Sequence, residues 1–316
     1  MRRFFEGLHT AARRAGIKRG PFDWAARETK AQLTLEAGCP TCRDNLHALV
    51  AWRRLRDCAW QSDGPIRRAL KPTAMAIDLR AYPAFEDWRR AVSRETDGKY
   101  HRSAARARRT GFIARQIGVG SFPASLYAIR ASKLQRSKGV VWEAKAGPRA
   151  DLGDAETPLV APACDRHWRI DWGVLRTEPE GARMVGYASL LRAGNSAQIL
   201  HFIGHGDHLA DGVTKLLQFE IMAWLLARED LCVQELEYLF YGTLEEGNAG
   251  LLDWKRYTQF APMLIDCADA PQDAPPRDFD GALYLELNPD VAQAGVDPYH
   301  HYLMDGMLEG RPTRRP

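Results

Sequence analysis

The stretch HFIGHGDHLADGVTKLLQFEIMAWLL, residues 201–226, decides the fold predicted for this chain. It begins as the end of an apolar strand (196–204), and the part from about Ala210 to Arg228 is apolar almost all round, which predicts a buried helix. Glycines at such a junction let a phosphate group approach the backbone N–H groups of the helix start. The junction therefore predicts a phosphate cradle. The alternative is a tight strand–helix turn that binds nothing.

The elements around this junction predict an α+β fold, with a mixed central sheet flanked by helices. Before it lies an antiparallel meander of three strands, in which AGN at 193–195 has the turn chemistry of a hairpin. The irregular alternation of strands and helices disfavours a doubly wound sheet. The predicted order is strand 74–79, helices 84–110 with a break at Asp97-Gly98, strand 112–117, helix 124–135, strands 167–176, 182–192 and 196–204, helix 210–228, strand 235–241, helix 250–257 and strand 259–265.

Four segments make up the predicted domain organisation. Residues 1–72 are expected to be a helical lead-in, because Phe22–Glu36 and Asp44–Trp60 have apolar residues at helical spacing. The main domain occupies residues 73–265. Residues 266–278 are rich in Pro and Asp and predict a linker, and residues 279–316 predict a small module of short helices.

Charge is distributed unevenly along the 316 residues, although the formal net charge is only +4. Residues 1–150 carry 31 Lys and Arg against 13 Asp and Glu. This basic half favours an anionic partner such as nucleic acid, a nucleotide cofactor or anionic lipid; alternatively, the two oppositely charged halves face each other. No signal peptide or apolar run of membrane-spanning length is recognisable, so we expect no transmembrane segment and a cytoplasmic location.

The six cysteines are too sparse and irregular for a disulfide scaffold. GCPTC places Cys39 and Cys42 at zinc-knuckle spacing, with His47 and Cys58 further along the chain. A structural zinc site needs four ligands, usually as two close pairs, and no second pair is evident. We therefore expect no metal, and ordinary buried or surface thiols are the simpler interpretation, ahead of a zinc or redox role.

Two segments resemble the GNAT superfamily of acyltransferases. GHGDHLADG (204–212) is similar to the acyl-CoA-binding junction of that superfamily, and LEYLFYGTLEEGNAGLLDWKRYTQFAPMLI (236–265) is similar to the closing segment of its Fem-type, peptidoglycan aminoacyltransferase members. KYHRSAARARRTGF (99–112) resembles the basic helix of the same relatives. The resemblance covers about residues 73–265 and implies a GNAT-like fold with acyl-CoA as co-substrate. The matching residues of the closing segment are Trp254, Lys255, Phe260 and Pro262.

Acyl transfer from a thioester to an amine requires a base for the amine and an acid for the leaving thiolate. His205 and His208 lie where the base is expected, and Tyr241 is the candidate acid. Glu245 is a candidate contact to a cationic acceptor. Surface, capping or packing roles are the alternative for each of them. The residues expected to bind the cofactor are Gly204, Gly206, Leu209, Ala210, Gly212, Thr214 and Lys255.

The tail FDGALYLELNPDVAQAGVDPYHHYLMDGMLEGRP (279–312) resembles a short module that is appended to various bacterial proteins, including polysaccharide glycosyltransferases. The resemblance implies an interaction module in a bacterial, polysaccharide-associated protein. Apolar residues such as Tyr284, Val291 and Leu303 are expected to be buried in it, and His300 and His301 to pack rather than to bind metal.

These features predict an N-acyltransferase that moves an acyl group from acyl-CoA or a carrier thioester to an amine, for example on an amino sugar or an amino acid. One alternative is an aminoacyl-tRNA-dependent, Fem-like transferase, which the basic first half favours. The other is a non-catalytic binding or scaffold protein that keeps the GNAT fold. A filled groove beside Gly204–Gly212 would favour this last alternative.

Overall fold

The computed structural model describes residues 29–42, 46–59, 72–136, 139–140, 152–179, 181–271, 279–306 and 311–315. Over these residues the chain forms an eight-stranded mixed sheet, a separate two-stranded ribbon, and helices packed on both faces of the sheet. The α+β fold class predicted from the sequence is confirmed.

The strands of the large sheet follow the order β1-β10-β2-β9-β8-β7-β6-β3, and β4 and β5 form the ribbon. The pairs β1–β10 and β8–β9 are parallel, and the other neighbours in the large sheet are antiparallel. The strands are β1 (Thr29–Leu33), β2 (Ala74–Asp78), β3 (Phe112–Ile117), β4 (Gln135–Arg136), β5 (Gly139–Val140), β6 (His167–Glu178), β7 (Gly181–Ala193), β8 (Ser196–Gly204), β9 (Tyr238–Thr243) and β10 (Ala261–Cys267).

Most of the helices lie close to the positions predicted from apolar periodicity. No helix among the described residues is long and apolar enough to cross a membrane. The helices are α1 (Leu46–Leu55), α2 (Phe85–Glu95), α3 (Lys99–Arg109), α4 (Pro123–Ala131), α5 (Val213–Ala227), α6 (Ala249–Tyr257), α7 (Gly281–Leu287), α8 (Pro289–Ala294) and α9 (Pro298–His301).

Helix α5 forms the main core against one face of the sheet. Side chains alternate across a strand, so Trp168, Trp172 and Val174 of β6 all face α5. Helix α3 covers α5 from outside through its small buried residues Ala104 and Ala107. This core explains why the sequence of α5 is apolar almost all round, since it is covered on both sides.

The opposite face of the sheet is covered by α1, α4 and the tail. Leu191 of β7 and Leu200 of β8 pack in one cluster with residues of α1 and with Tyr299 and Leu303 of the tail. Arg53 of α1 lies over the Tyr299 ring, 4.7 Å from its centroid. The predicted small module is therefore helical and packs directly on the main core.

The helical lead-in predicted for residues 1–72 is partly wrong. Thr29–Leu33 is the edge strand β1, paired in parallel with β10, whereas the sequence predicts a helix over Phe22–Glu36. Ala31 and Leu33 are buried and their neighbours are exposed, which is the alternation of a strand. The strand has only five residues, so its alternation is not recognisable in the longer sequence window used to detect a helix. Helix α1 confirms the second predicted helix. The rest of the lead-in lies largely outside the described residues.

The β7–β8 hairpin turn also positions the segment that follows β1. Gly194 has a φ of 57°, and a Cβ atom there would overlap the carbonyl oxygen of Thr34. Asn195, the other turn residue, accepts a hydrogen bond from the Thr34 N–H at 3.0 Å and donates one to the Gln32 carbonyl at 2.9 Å. The predicted hairpin is confirmed, and its glycine is required both by the turn and by this close approach.

Candidate functional site

Strands β8 and β9 pair only at their amino-terminal ends. Their ladder joins Ser196–Gln198 to Tyr238–Phe240 and stops there, although both strands continue beyond it. In the ladder with β7, Leu200 of β8 is an extra residue, which is a β-bulge. The carboxyl halves of these two parallel strands therefore diverge. We call the gap between residues 199–204 and 241–243 the wedge.

Aromatic side chains fill one face of the wedge. Phe202 of β8 lies 5.2 Å from Trp254 of α6 and 6.4 Å from Tyr241 of β9, measured between ring centroids. Burial, with a contribution from the charge of Glu246, raises the pKa of Tyr241 to about 12. The predicted acid therefore lies in the wedge and keeps its hydroxyl proton at neutral pH.

The glycines of the junction after β8 are closely packed. A Cβ atom at Gly204 would lie 2.8 Å from the Thr214 methyl group and 2.9 Å from Leu209. Gly212 has a φ of 92°, and a Cβ atom there would overlap Ser103 of α3. Both glycines are therefore required by the packing of the protein itself, whether or not a ligand binds.

Most backbone N–H groups of the junction are bonded within the protein. Gly206 donates to the Ser132 hydroxyl at 2.8 Å. An α-helix leaves its first N–H groups without intrahelical partners, and Gly212 supplies no side-chain cap to α5. The predicted phosphate contacts stay predictions, and the first turn of α5 is the part of the junction best suited to them. The N–H groups with acceptors in the protein belong to His205, Gly206, Asp207, His208, Leu209, Asp211 and Gly212.

Two basic side chains converge on the start of α5. Arg106 of α3 donates to the carbonyl oxygen of Ala210 at 2.5 Å. Lys215, in the first turn of α5, lies 5.2 Å from the ring centroid of Tyr100. Burial, together with the positive charge of Arg106, lowers the pKa of Lys215. Two cations held together at a helix amino terminus are arranged to attract an anion.

The two predicted catalytic histidines lie together at the end of β8, with ring centroids 5.7 Å apart. His208 places Nδ1 3.0 Å from the Asp211 carboxylate. A carboxylate only accepts hydrogen bonds, so Nδ1 carries the proton, and in the neutral form of such a ring Nε2 is the acceptor. His205 instead accepts the Asp207 N–H on Nδ1 at 3.4 Å. The geometry therefore distinguishes the two histidines and favours His208 as the base.

Glu245 and Lys255 hold the region where β9 ends. The Glu245 carboxylate accepts a hydrogen bond from the Thr73 N–H at 2.9 Å. Lys255 is 1% exposed, donates to the Thr243 carbonyl at 2.7 Å and lies 5.5 Å from the ring centroid of Tyr241. Their predicted contacts with an acceptor and with a cofactor stay predictions, because both side chains already have partners in the protein.

A buried polar cluster that the sequence patterns did not predict lies on the sheet face opposite α5. Asp171 of β6 is 2% exposed and accepts hydrogen bonds from Ser189 at 2.7 Å and from Tyr187 at 2.9 Å. It also forms an ion pair with Arg169 at 3.0 Å. The alternation of charged and apolar residues in WRIDW (168–172) was a signal for it. Because the charges are paired, the cluster is sufficiently explained by a structural role.

A cavity of about 640 Å³ lies away from the predicted chemistry, at the β3–β6 edge of the sheet. It is lined by the end of β3, by residues 157–162 and by Arg169–Asp171. Val119 and Val160 in its wall are exposed apolar side chains. None of the predicted site residues lines this cavity.

The structure also brings together four side chains able to bind a metal. Cys39 and Cys42 meet Cys164 and His167, and one ligand atom from each lies within 4.8 Å of all the others. The prediction that the chain lacks a second ligand pair is therefore wrong: Cys164 and His167 supply it, at C-x2-H spacing. Cys58, by contrast, belongs to a separate apolar cluster.

The thiols of this Cys/His cluster influence one another. Burial, with the neighbouring Cys164, raises the pKa of Cys42 to about 12. Burial also acts to raise the pKa of Cys39, but hydrogen bonds from the backbone of Thr41 and Cys42, together with those to the Cys164 and Cys42 thiols, outweigh it, and this pKa lies below its ordinary value. The pKa values of these two thiols are thus shifted in opposite directions.

No known protein-family model matches this chain, and no curated protein matches it either.

Proposed function

We propose that the protein is an N-acyltransferase that takes an acyl thioester, acyl-CoA in the first instance, into the wedge between β8 and β9. The observation that supports this function is that β8 and β9 stop pairing after Gln198 and Phe240, although both strands continue. Beyond these residues the two strands no longer pair with each other, which leaves a gap between their facing edges. An extended chain that carries amides, such as the pantetheine arm of CoA, can bond to such edges as an added strand does.

The start of α5 supplies the charge needed for the phosphate groups of this donor. The helix amino terminus, Arg106 and Lys215 all lie there, and residues 205–212 connect it to the end of β8. Anions bind at helix amino termini because the N–H groups and the helix dipole favour negative charge. The wedge and the cationic helix start together match an apolar acyl arm joined to a phosphorylated nucleotide.

His208 and Tyr241 then take the two proton-transfer roles. The Nε2 atom of His208 accepts a proton from the ammonium or from the amine as its nitrogen attacks the thioester carbonyl, and Asp211 holds the imidazole ring. The C–S bond breaks, the new C–N bond remains, and the thiolate takes the Tyr241 proton, which burial keeps on the phenol at neutral pH. The acceptor is a small or sugar-linked amine.

Calorimetric titration of the full chain with CoA and acetyl-CoA tests the donor site. We expect micromolar binding that weakens at least about tenfold in Arg106→Glu, a loss of about 1.4 kcal/mol. Arg109→Glu is the matched control, because Arg109 is an exposed residue of the same helix, and its affinity should stay within about twofold of wild type. Absence of binding to both ligands would rule out a CoA donor. Substitution of Gly212 is unsuitable, since it would displace α3 from α5.

A non-catalytic binding protein is the second candidate, and the packing of the junction favours it. Gly204 and Gly212 pack against protein atoms, and Phe202 and Trp254 occupy one face of the wedge. In such a protein the wedge is a filled core. For a non-catalytic binding protein of this kind, we expect no heat of CoA binding in the titration and no acyl transfer to a panel of amines.

A further inference from the structure

We propose that Cys39, Cys42, Cys164 and His167 bind one zinc ion, which joins the segment after β1 to the start of β6. Each residue contributes one ligand atom, and these atoms lie within 4.8 Å of one another. Three thiolates and one imidazole are a ligand set of structural zinc sites. The proposal is independent of the acyltransferase function and concerns a different part of the molecule.

The distances between the ligand atoms fit a single tetrahedral ion. The sulfur atoms of Cys39 and Cys164 are 3.9 Å apart, and the Cys164 sulfur lies 3.7 Å from Nδ1 of His167. A tetrahedron with zinc–sulfur distances of about 2.3 Å has edges of about 3.8 Å. Both distances are close to such an edge, and all four ligand atoms lie within 4.8 Å of one another. With four protein ligands no position remains for water, as in structural rather than catalytic zinc sites.

The surroundings of His167 prepare its ring for metal binding. Its Nε2 atom lies 2.8 Å from the carbonyl oxygen of Leu35, and His167 itself is 3% exposed. A carbonyl oxygen only accepts, so Nε2 carries the proton and the Nδ1 lone pair faces the thiols. Metal-binding histidines commonly have this arrangement, in which a backbone carbonyl fixes the tautomer and the ring orientation. The Arg166 N–H also approaches the Cys164 sulfur at 3.4 Å.

A redox function explains the four side chains less well. A redox pair needs only two of the four side chains. A Cys39–Cys42 disulfide would also leave Cys164 and His167 without a role. A metal ion engages all four.

The ion would act as a link between distant parts of the chain. Cys39 and Cys42 belong to the segment that follows the edge strand β1. His167 is the first residue of β6, which lies next to the strand at the opposite edge of the sheet. Leu35, in the same segment after β1, is fully buried in the apolar cluster under α1. Zinc binding therefore holds this segment, with Leu35, against the sheet.

Metal analysis of the full chain tests the proposal. We expect about one zinc per chain after purification under reducing conditions without added metal. Cys164→Ser and His167→Ala should lose the zinc, and His167→Cys should retain it, because four thiolates also form a zinc site. Cys232→Ser is the matched control and should bind zinc as wild type does, since Cys232 lies outside the cluster.

A second measurement avoids dependence on variants that fold poorly. Titration of the folded wild-type protein with a mercurial should release zinc to a metallochromic dye, and Co²⁺ exchanged into the site should give the absorption of tetrahedral thiolate coordination. Any of three results would overturn the proposal: no zinc bound even after reconstitution, iron in place of zinc, or zinc content unchanged in both Cys164→Ser and His167→Ala.

Discussion

The junction after β8 and the Cys/His cluster differ in how their residues are brought together. The junction, residues 204–215, is continuous in sequence, and its glycines and histidines are conspicuous there. In the structure its glycines are packed and most of its N–H groups are bonded internally. The Cys/His cluster combines Cys39 and Cys42 with Cys164 and His167, and its ligand atoms lie within 4.8 Å of one another. A conspicuous local motif is thus a weaker sign of a binding site than convergence of distant side chains.

The largest expected effect concerns the histidines of the junction. His208→Gln should lower acyl-transfer turnover about 10²–10⁴-fold, the usual cost of losing a general base. His205→Gln should have a smaller effect, because its Nδ1 is engaged by a backbone N–H. Turnover is measured as free CoA released with an amine panel, with the exposed His300→Gln as control. Equal rates in all three variants would leave the junction with a structural role only.

Zinc removal should have the next largest effect, on stability. A strong chelator under reducing conditions should lower the unfolding temperature of wild type by about 5–10 °C, because a structural metal contributes folding free energy. Cys42→Ser should already unfold at the lower temperature and should not respond to the chelator. Differential scanning calorimetry makes the comparison. An unfolding temperature that the chelator leaves unchanged in wild type would contradict the stabilising link.

Gly194→Ala should destabilise the protein by about 2–3 kcal/mol, because it combines a positive φ with overlap of the Thr34 carbonyl. Gly111→Ala is the matched control. Gly111 also has a positive φ, of 89°, but has open space where the Cβ atom would lie, so its cost should be about 1 kcal/mol. Urea unfolding measures both. Equal losses would mean that the hairpin does not position the segment that carries Cys39 and Cys42.

The smallest effect is expected for the exposed arginines of the basic helix α3. Arg102 and Arg109 are exposed, so the double variant Arg102→Ala, Arg109→Ala should change the free energy of unfolding by less than about 0.5 kcal/mol. CoA affinity should also be nearly unchanged. RNA binding measured at increasing salt is the informative readout here. Steeply salt-dependent binding that is lost in the variant would support the tRNA-linked alternative instead.

Local patterns in the sequence were sufficient for most of the sheet and helices. The strand at 112–117 and the break at Asp97-Gly98 were predicted where they occur, as was the AGN hairpin. Alternation, helical periodicity and turn residues act over a few neighbouring residues, so they can be read without knowing the fold. The same reasoning placed His205 and His208 together, because they are close in sequence.

Only the tertiary structure decided the features that depend on distant partners. Thr29–Leu33 becomes a strand because β10 offers it a parallel edge, and the Asp171 cluster exists because β6 and β7 pair in one register. Cys164 and His167 meet Cys39 and Cys42 because the segment after β1 passes the start of β6. The sequence by itself thus determined the elements and the chemically capable residues. Which of those residues meet was decided by packing, since contacts between distant parts of a chain leave no local pattern.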